Sequence, residues 1–347
     1  MKKIVFVSGR LGGGGSERVL TLIANSLRTV GYDVTILTFF YNELEANNYN
    51  NQCPVVSIEY SNSIDQVFKI RKEIKAINPD VVIAFEYYIA IKVIFACLGL
   101  NVKTIVSERN NPHMIDHMRL KKILRDISYK KADVLVCQTN DAKSYFYEKG
   151  VKSIKVILNP IKDNLPIWNI EYVNKSIVNY CRLEEQKNLE LLINSFADVH
   201  KQFPDFSLHI YGEGTLKEKL ELLIKTLSLE HCAFIHPFTK NIHEIVSKSY
   251  MFVSSSDFEG LSNSLLESLA IGIPVVTTDC PIGGAKMVIE DGINGLLTEV
   301  GNKDMMVDKM KKLIVDVDYA IKLSKNELEI RDKLSLKAIT DMWIEIL

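Results

Sequence analysis

Short runs of Val, Ile and Leu alternate with amphipathic stretches along all 347 residues. The runs predict strands at KIVFVS, DVTILTFF, DVVIAF, KTIVSE and DVLVCQT in the first half, and at SIVNY, FSLHIYG, CAFIHPF, YMFVSSS, IPVVTTD and GLLTE in the second. Because the runs lack polar alternation, we expect parallel strands that helices cover on both faces. Two successive βα series therefore predict an α/β protein with two doubly wound, Rossmann-like sheets.

The boundary between the two domains is predicted in the segment VILNPIKDNLPIWN, where prolines and asparagines interrupt the pattern. We expect an N-terminal domain at 1–160, a C-terminal domain at 161–325, and a last helix at 326–347 that packs back toward the first domain. In open parallel sheets, ligands bind beyond the carboxyl ends of the strands. The candidate residues are thus those that follow each strand, at a cleft between the domains.

Composition excludes several classes of protein. A net charge of -1 gives no support for a nucleic-acid partner. No apolar run approaches the roughly 18 residues of a membrane span, and MKKIVFVS is better interpreted as a first strand than as a signal peptide. The six cysteines are widely spaced and show no metal-binding pattern, which indicates reduced thiols in a cytoplasmic protein.

A glycine loop, SGRLGGGGSERVL, follows the first predicted strand. Residues 12–15, among them Gly14 and Gly15, would allow close approach of the backbone to a ligand and positive φ angles, and Ser16 is expected to cap the next helix. Neither common phosphate-binding motif fits, because Gly15 occupies the lysine position of a P-loop and Glu17 the last glycine of a dinucleotide fingerprint. A ligand-binding loop is favoured over a flexible turn that binds nothing.

The second half places charged residues after two predicted strands. Arg182 and Lys187 could neutralise a diphosphate without a metal, although isolated cations are more often solvated surface residues. Ser262 is expected to cap a helix whose first amides, at 263–265, would bind an anion. Glu259 before this helix and Glu267 inside it could each accept hydrogen bonds from hydroxyl groups. A diphosphate between two hydroxyl-bearing ends describes a nucleotide sugar.

Taken together, the chain resembles a retaining glycosyltransferase of family 4 with the GT-B fold. The resemblance rests on GGSER, CRLEEQKNLELLI, YGEG, the Glu259-x7-Glu267 spacing, GIPVVTTDCPIGG and EDGINGLL. Within this family, the sequence as a whole resembles bacterial enzymes that build capsule, O-antigen or lipid-linked oligosaccharides. The resemblance implies a nucleotide-sugar donor, most simply a UDP-sugar, and a glycan or undecaprenyl-diphosphate-linked acceptor. It implies no metal and no other cofactor.

The resemblance also assigns roles to residues. Glu259, Arg182 and Lys187 would be catalytic, with the two cations on the leaving diphosphate and Glu259 at the donor sugar. Donor-binding positions would be Gly14, Gly15, Phe238 near the uracil, Ser262, Asn263, Ser264, Leu265 and, on the ribose, Glu267. Acceptor-side positions would be Glu17, Arg109 and His113. Many relatives carry a histidine where this chain has Arg109, and His113 is a candidate substitute.

Two basic stretches, IDHMRLKKILRDISYKK and FKIRKEIK, combine lysines and arginines with apolar residues. They predict either helices that bind an anionic membrane surface, at the inner face of the cell membrane, or ordinary helices with one buried face. The architecture also leaves open a UDP-sugar 2-epimerase, which needs no acceptor, and a partner subunit that binds a nucleotide sugar without turning it over.

Overall fold

The computed structural model describes residues 1–12, 14–41 and 50–347. The chain forms two compact units, one of residues 1–160 with 334–347 and one of residues 161–333. Each unit contains one parallel β-sheet with helices on its faces, so the α/β class and the paired Rossmann-like sheets predicted from the sequence are confirmed.

In the first unit, the described strands form a seven-stranded sheet with the order β3-β2-β1-β4-β5-β6-β7. The strands are β1 (Lys3–Leu11), β2 (Asp33–Tyr41), β3 (Val55–Ser57), β4 (Val81–Phe85), β5 (Lys103–Ser107), β6 (Val134–Cys137) and β7 (Ile154–Val156). The helices are α1 (Gly15–Thr29), α2 (Ser63–Ile77), α3 (Tyr87–Cys97), α4 (Arg119–Lys131), α5 (Asn140–Glu148) and, at the end of the chain, α13 (Leu336–Ile344). The strand order reverses between β1 and β4, where such sheets bind ligands.

The second unit repeats this scheme with a six-stranded sheet of order β10-β9-β8-β11-β12-β13. The strands are β8 (Ser176–Tyr180), β9 (Ser207–Tyr211), β10 (Ala233–His236), β11 (Met251–Ser254), β12 (Val275–Thr278) and β13 (Leu296–Thr298). The helices are α6 (Leu189–His200), α7 (Lys217–Thr226), α8 (Ile242–Ser247), α9 (Asn263–Ile271), α10 (Lys303–Val315), α11 (Val317–Glu327) and α12 (Ile330–Lys333). Here the reversal lies between β8 and β11.

All eleven strands predicted from the sequence are present, and the residues that the structure describes contain two further strands that the sequence analysis missed. The missed strands, β3 and β7, have three residues each and lie at the two edges of the first sheet. An edge strand this short presents no continuous apolar run, because one side of it is unpaired and its side chains are only partly buried. The strands β4 and β6, which are paired on both sides, are buried at every residue, and this explains why the hydrophobic pattern alone predicted them.

The helix α13 packs against α1 within the first unit. Its Thr340 Oγ1 donates a hydrogen bond of 2.8 Å to Ser26 Oγ, and the ring of Trp343 stacks on Phe85 at 6.0 Å between centroids. Trp343 is fully buried. The last segment of the chain therefore contributes to the core of the unit that the first segment begins.

The helix α4 has its polarity reversed relative to an ordinary amphipathic helix. It buries Arg125, which is 1% exposed, and it exposes Leu120, Ile123 and Ile127 at 71%, 54% and 42%. Arg125 donates hydrogen bonds to the Pro112 carbonyl (2.6 Å), to the carboxylate of its neighbour and to a tyrosine hydroxyl. The sequence analysis grouped Arg125 with the surface cations, which is wrong, since its side chain is buried. It left open whether the apolar residues face a membrane or the core, and Leu120, Ile123 and Ile127 do not pack in the core.

No helix among the described residues is both long enough and apolar enough to cross a bilayer.

Candidate active site

Two loops at the carboxyl ends of the neighbouring strands β8 and β11 form the centre of the site. Each loop ends in a helix cap, since Asn188 accepts a hydrogen bond from the Leu191 amide and Ser262 from the Leu265 amide. Ser255 Oγ is 3.0 and 2.9 Å from the carbonyl oxygens of Lys187 and Asn188. This network fixes the loops to one another, so residues distant in sequence meet at the switch point of the sheet.

Lys187 and Glu259 form an ion pair across these loops. Their side chains are 13% and 17% exposed, so water screens the pair only in part. Ser256 Oγ donates to the same carboxylate oxygen at 3.3 Å. The ion pair gives each charge an opposite partner. Glu259 also lines a pocket, together with Ser254, Ser256, Gly260, Ser262, Leu265, Thr277, Thr278, Cys280 and Ala285.

Arg182 lies in the same loop as Lys187 and is exposed. Its Nη2 is 3.4 Å from Gln186 Oε1, while Gln186 Nε2 donates to the Phe258 carbonyl at 2.8 Å. The two glycines of the YGEG motif pack closely against the backbone of this loop. A Cβ added at Gly212 would lie 1.8 Å from the Cys181 carbonyl oxygen, and one added at Gly214 would lie 2.3 Å from the Leu183 carbonyl oxygen. Steric contact explains why glycine occupies both positions, because the backbone on either side of Arg182 leaves no room for a side chain there.

The helix α9 begins beside the pocket, and its first turn contains Asn263, Ser264 and Leu265. The N-terminal amides of a helix carry partial positive charge and are suited to bind an anion. Gly284 packs against the loop before α9, where an added Cβ would lie 1.7 Å from the Gly260 oxygen. The second glycine of the PIGG sequence therefore lets the chain after β12 support the loop that contains Glu259.

Glu267, one turn into α9, is only 3% exposed. Its Oε2 is 2.8 Å from Nε2 of His243, whose side chain is 12% exposed. Tyr180, at the end of β8, donates a hydrogen bond of 2.8 Å to the Ser264 carbonyl and accepts one of 3.3 Å from Ser268. The sequence analysis missed His243 and Tyr180. A lone histidine in the short helix α8 and a tyrosine at a strand end carry no pattern that would single them out.

Two cysteines border this site, and burial suppresses the reactivity of both. Loss of solvation raises the pKa of the Cys181 thiol to about 12 and that of the Cys280 thiol to about 11. Cys280 Sγ lies 3.0 Å from the Ser256 carbonyl, to which it donates. Both thiols therefore stay protonated at neutral pH and are not suited to act as nucleophiles.

Phe238 follows β10 and is 67% exposed. Behind it, His236 stacks on Tyr211 at 4.5 Å and on His209 at 5.2 Å between ring centroids. His209 Nδ1 and His236 Nε2 are 2.9 Å apart. Aromatic rings therefore lie at the carboxyl ends of β9 and β10, with His236 just before Phe238 in the sequence.

The glycine loop of the first unit differs in detail from the expectation. The helix α1 begins at Gly15 with Gly14 as its N-cap at φ -90°, so Ser16 does not cap the helix. Ser16 instead hydrogen-bonds through its side chain to Glu86. Gly12, Gly14 and Gly15 have no positive φ, and Gly13 lies outside the described residues. The Glu17 side chain folds back over Gly14, where an added Cβ would lie 1.9 Å from Oε2.

Arg109 and His113 are both held by other residues of the first unit. The Arg109 guanidinium carbon lies 4.3 Å from the centre of the Phe85 ring, and Nη1 donates to Asn159 at 2.6 Å. Burial lowers the pKa of Arg109 to about 9. His113 is exposed, and its Nδ1 is 2.9 Å from a carboxylate oxygen of Asp116. The two residues are therefore not equivalent substitutes for one another.

Glu86 is a first-unit candidate that the sequence analysis did not identify. It follows β4 at the switch point of the sheet and has φ 72°, a conformation that costs energy in any residue with a side chain. Ser16 and Tyr88 hydrogen-bond to its carboxylate, and burial raises its pKa. Positive φ at a half-buried, ionisable residue beside the glycine loop is typical of functional sites.

Family models match both halves of the chain. The model described as "Glycosyltransferase Family 4" matches residues 13–165, and the model described as "Glycosyl transferases group 1" matches residues 162–329. The chain belongs to the family 4 glycosyltransferases.

Individual relatives of this glycosyltransferase agree with the family models. One is a Campylobacter jejuni alpha-1,4-N-acetyl-D-galactosaminyltransferase for a diNAcBac-PP-undecaprenol-linked glycan, 26% identical over 100% of this chain and 98% of the relative. Another Campylobacter jejuni enzyme, a diphospho-undecaprenol 4-alpha-N-acetylgalactosaminyltransferase, is 31% identical over 68% of this chain and 66% of its own length. The crystal structure of Anabaena HepE with UDP-glucose has a TM-score of 0.88 at 18% identity and covers 100% of this chain and 99% of HepE. The GT-B fold predicted from the resemblance is confirmed.

Proposed function

We propose that this glycosyltransferase transfers a sugar, with retention of anomeric configuration, from a UDP-sugar to a hydroxyl group of a glycan or an undecaprenyl-diphosphate-linked oligosaccharide in bacterial surface polysaccharide synthesis. The observation that carries the proposal is the ion pair of Lys187 with Glu259 beside the start of α9, the helix that contains Glu267, with Arg182 on the same loop as Lys187. The names of the Campylobacter relatives support the acceptor class, and the UDP-glucose complex of HepE supports the donor class.

In this proposal each group holds one part of the donor. The buried carboxylate of Glu267, oriented by His243, accepts hydrogen bonds from the ribose hydroxyls. The first amides of α9, in residues 263–265, receive the diphosphate. Glu259, at the opposite side of the α9 start, contacts the sugar, and Phe238 offers an exposed ring to the uracil.

Departure of the diphosphate requires neutralisation of the charge that develops on its oxygen atoms. Arg182 and Lys187 supply two positive charges on one loop, and the helix dipole of α9 adds a third, partial charge. Same-face attack by the acceptor hydroxyl, with its proton passing to the leaving diphosphate, then retains configuration. Because protein cations perform this role, turnover is expected to continue in EDTA; loss of turnover that returns with added magnesium or manganese contradicts this assignment.

The first unit contributes substrate contacts through its own loops in this proposal. Gly14 and Gly15 are assigned to the donor phosphates and Glu17 to the acceptor, as the resemblance implies. Glu86 is added as a carboxylate that binds an acceptor hydroxyl, since its backbone is held in an unfavourable conformation beside Ser16. Arg109 supports this region by stacking on Phe85, and His113 is the more exposed of the two acceptor-side candidates.

The reversed polarity of α4 supports attachment to an anionic membrane at the inner face of the cell membrane. Leu120, Ile123 and Ile127 point away from the unit that carries them, and the exposed Lys121 lies on the same helix. A helix with apolar and cationic residues on its outer side is suited to lie at the boundary between lipid headgroups and acyl chains. Such attachment would bring the enzyme to a lipid-linked acceptor.

A donor screen tests the function. Purified protein is incubated with individual UDP-, GDP- and ADP-sugars, with and without undecaprenyl-diphosphate-linked oligosaccharides, and free nucleotide and glycan products are measured. Acceptor-dependent UDP release with an α-linked product from an α-linked donor is the expected result. UDP release together with a free, epimerised sugar in the absence of acceptor would instead identify a 2-epimerase. Donor binding without turnover under every condition would identify a non-catalytic subunit.

A further inference from the structure

Three side chains with metal-binding atoms meet at the edge of the second sheet opposite the proposed donor site. They belong to His200, His231 and Cys232, and their ligand atoms all lie within 4.8 Å of one another. His200 is the last residue of α6, whereas Cys232 immediately precedes β10. Because α6 starts beside Lys187 and its 12 residues span about 18 Å, the cluster is far from the helix end that carries the catalytic candidates.

The hydrogen bonding of His200 prepares one of its nitrogen atoms for a metal. Its Nδ1 is 3.0 Å from the carbonyl oxygen of Phe206, and a carbonyl only accepts, so Nδ1 carries the proton. The neutral ring therefore has its lone pair on Nε2. An imidazole whose second nitrogen donates to a backbone carbonyl is the usual arrangement of metal-bound histidines, because it fixes both the tautomer and the ring orientation.

Cys232 provides a soft sulfur ligand, and His231 provides an imidazole on an exposed side chain that can rotate. Cys232 is buried, and burial raises the pKa of its thiol, so the free thiol is protonated at neutral pH. Binding of a divalent metal forms a metal–sulfur bond, breaks the S–H bond and releases one proton to solvent. His231 is exposed, and its ring lies 5.6 Å from that of His200. Ligand atoms around tetrahedral zinc are roughly 3.3–3.6 Å apart, a contraction that rotation of an exposed side chain allows.

We propose that His200, His231 and Cys232 bind a zinc ion, with water as the fourth ligand, and that this ion fastens the end of α6 to the segment that enters β10. Two imidazoles and a thiolate are a donor set that zinc prefers over magnesium or calcium, which take oxygen ligands. The ion would join positions 200 and 232 from within the second unit and would stabilise that unit without taking part in sugar transfer.

Cobalt and zinc binding to the metal-depleted full-length protein test this proposal. Addition of Co²⁺ is expected to give a near-ultraviolet thiolate-to-cobalt band and intense visible bands of tetrahedral cobalt, which zinc abolishes at one equivalent. We expect a zinc Kd below about 10 μM and a thermal midpoint raised by about 3 °C at tenfold excess over Kd.

Matched variants identify the ligands. His231→Ala is the primary variant, because the side chain is exposed and its loss should not disturb folding; zinc affinity should fall at least about tenfold. Cys232→Ser should abolish the thiolate-to-cobalt band, and His117→Ala, at an exposed histidine in the first unit, should change nothing. The proposal is overturned if wild-type protein binds no stoichiometric zinc below about 100 μM, if zinc affinity is unchanged in His231→Ala, or if the thiolate-to-cobalt band remains in Cys232→Ser.

Discussion

Lys187 and Glu259 are 72 positions apart in the sequence, yet their side chains form an ion pair between the loops that follow β8 and β11. Each loop is fixed by its own helix cap, and Ser255 binds the backbone of one loop to that of the other. The pair therefore holds a cation proposed for the leaving group beside a carboxylate proposed for the sugar. Because the two charges are paired, removal of Glu259 should also change how Lys187 binds phosphate.

Glu259→Ala should lower kcat more than it raises the donor KM, because a carboxylate beside the sugar stabilises positive charge that develops at the anomeric carbon. The affinity for UDP should stay the same or increase, since Lys187 loses the carboxylate that competes with phosphate for it. Calorimetry with UDP and steady-state kinetics measure the two effects. Glu259→Gln is the control, as it keeps the size of the side chain and removes only the charge. A large loss of UDP affinity in either variant would place Glu259 at the nucleotide instead.

Glu267→Ala should weaken UDP binding by about ten- to a hundredfold, because a hydrogen bond to a charged group contributes roughly 1.5–3 kcal/mol. His243→Ala should weaken UDP binding by a smaller factor, since His243 positions the carboxylate through a contact of 2.8 Å and Glu267 itself remains. His243→Gln, which can still donate a hydrogen bond, should recover part of the loss. Calorimetry with UDP on the three variants checks this order. Equal UDP affinity in wild type and Glu267→Ala would refute the ribose assignment.

Substitutions in α4 should reduce binding to vesicles that contain anionic lipid. Leu120→Ser combined with Ile123→Ser removes two exposed apolar side chains, and Lys121→Glu reverses one charge. Lys121→Glu should reduce the partition coefficient by about five- to thirtyfold, since a lysine near such a surface contributes about 1 kcal/mol. The double serine variant should reduce it by at least about a hundredfold, since each buried aliphatic side chain contributes about 1.5–3 kcal/mol.

Co-sedimentation with anionic and with neutral vesicles measures this effect. Leu222→Ser is the matched apolar control, because Leu222 is 64% exposed on a helix of the second unit. Arg125 is unsuitable for charge reversal, as its guanidinium is buried and its loss would destabilise the fold. Absence of wild-type binding to anionic vesicles, or equal losses with Leu222→Ser, would remove the proposed membrane role of α4.

Stability should fall as the pH drops below about 6.5, in part because of His209 and His236. Burial lowers the pKa of His209, with a further contribution from His236, and burial also lowers the pKa of His236. Since both folded pKa values lie below the unfolded value, the unfolded chain binds more protons in this range. The stabilisation is therefore complete above pH 6.5 and is lost as the pH falls through the folded pKa values.

Urea unfolding at pH 7.5 and 5.5 measures this dependence. His209→Gln should show a smaller loss of unfolding free energy between the two pH values than wild type, because one of the two titrating rings is gone. His117→Gln, at an exposed position of the first unit, should behave as wild type. An unchanged pH dependence in His209→Gln would show that the stacked pair does not govern acid stability.

The sequence by itself determined the architecture and the chemical character of the proposed donor site. Buried strands such as β4 and β6 are continuous apolar runs because helices cover both of their faces, so the hydrophobic pattern alone locates them. Ser262 as a cap and Glu259 and Glu267 on either side of a helix start are local features, and their positions follow from the chain order.

Only the tertiary structure decided which side chains pair with Glu259 and Glu267. The contacts of Glu259 with Lys187 and of Glu267 with His243 join loops and helices that follow different strands, and no spacing in the sequence encodes them. The same holds for Gly212 and Gly284, whose steric roles depend on backbone that passes over them from elsewhere in the chain. Arg125 shows most clearly what the sequence alone could not predict. Periodicity indicates that α4 is amphipathic, but a buried arginine is stable only where folded neighbours supply its hydrogen bonds, and those neighbours come from Pro112 and Tyr145.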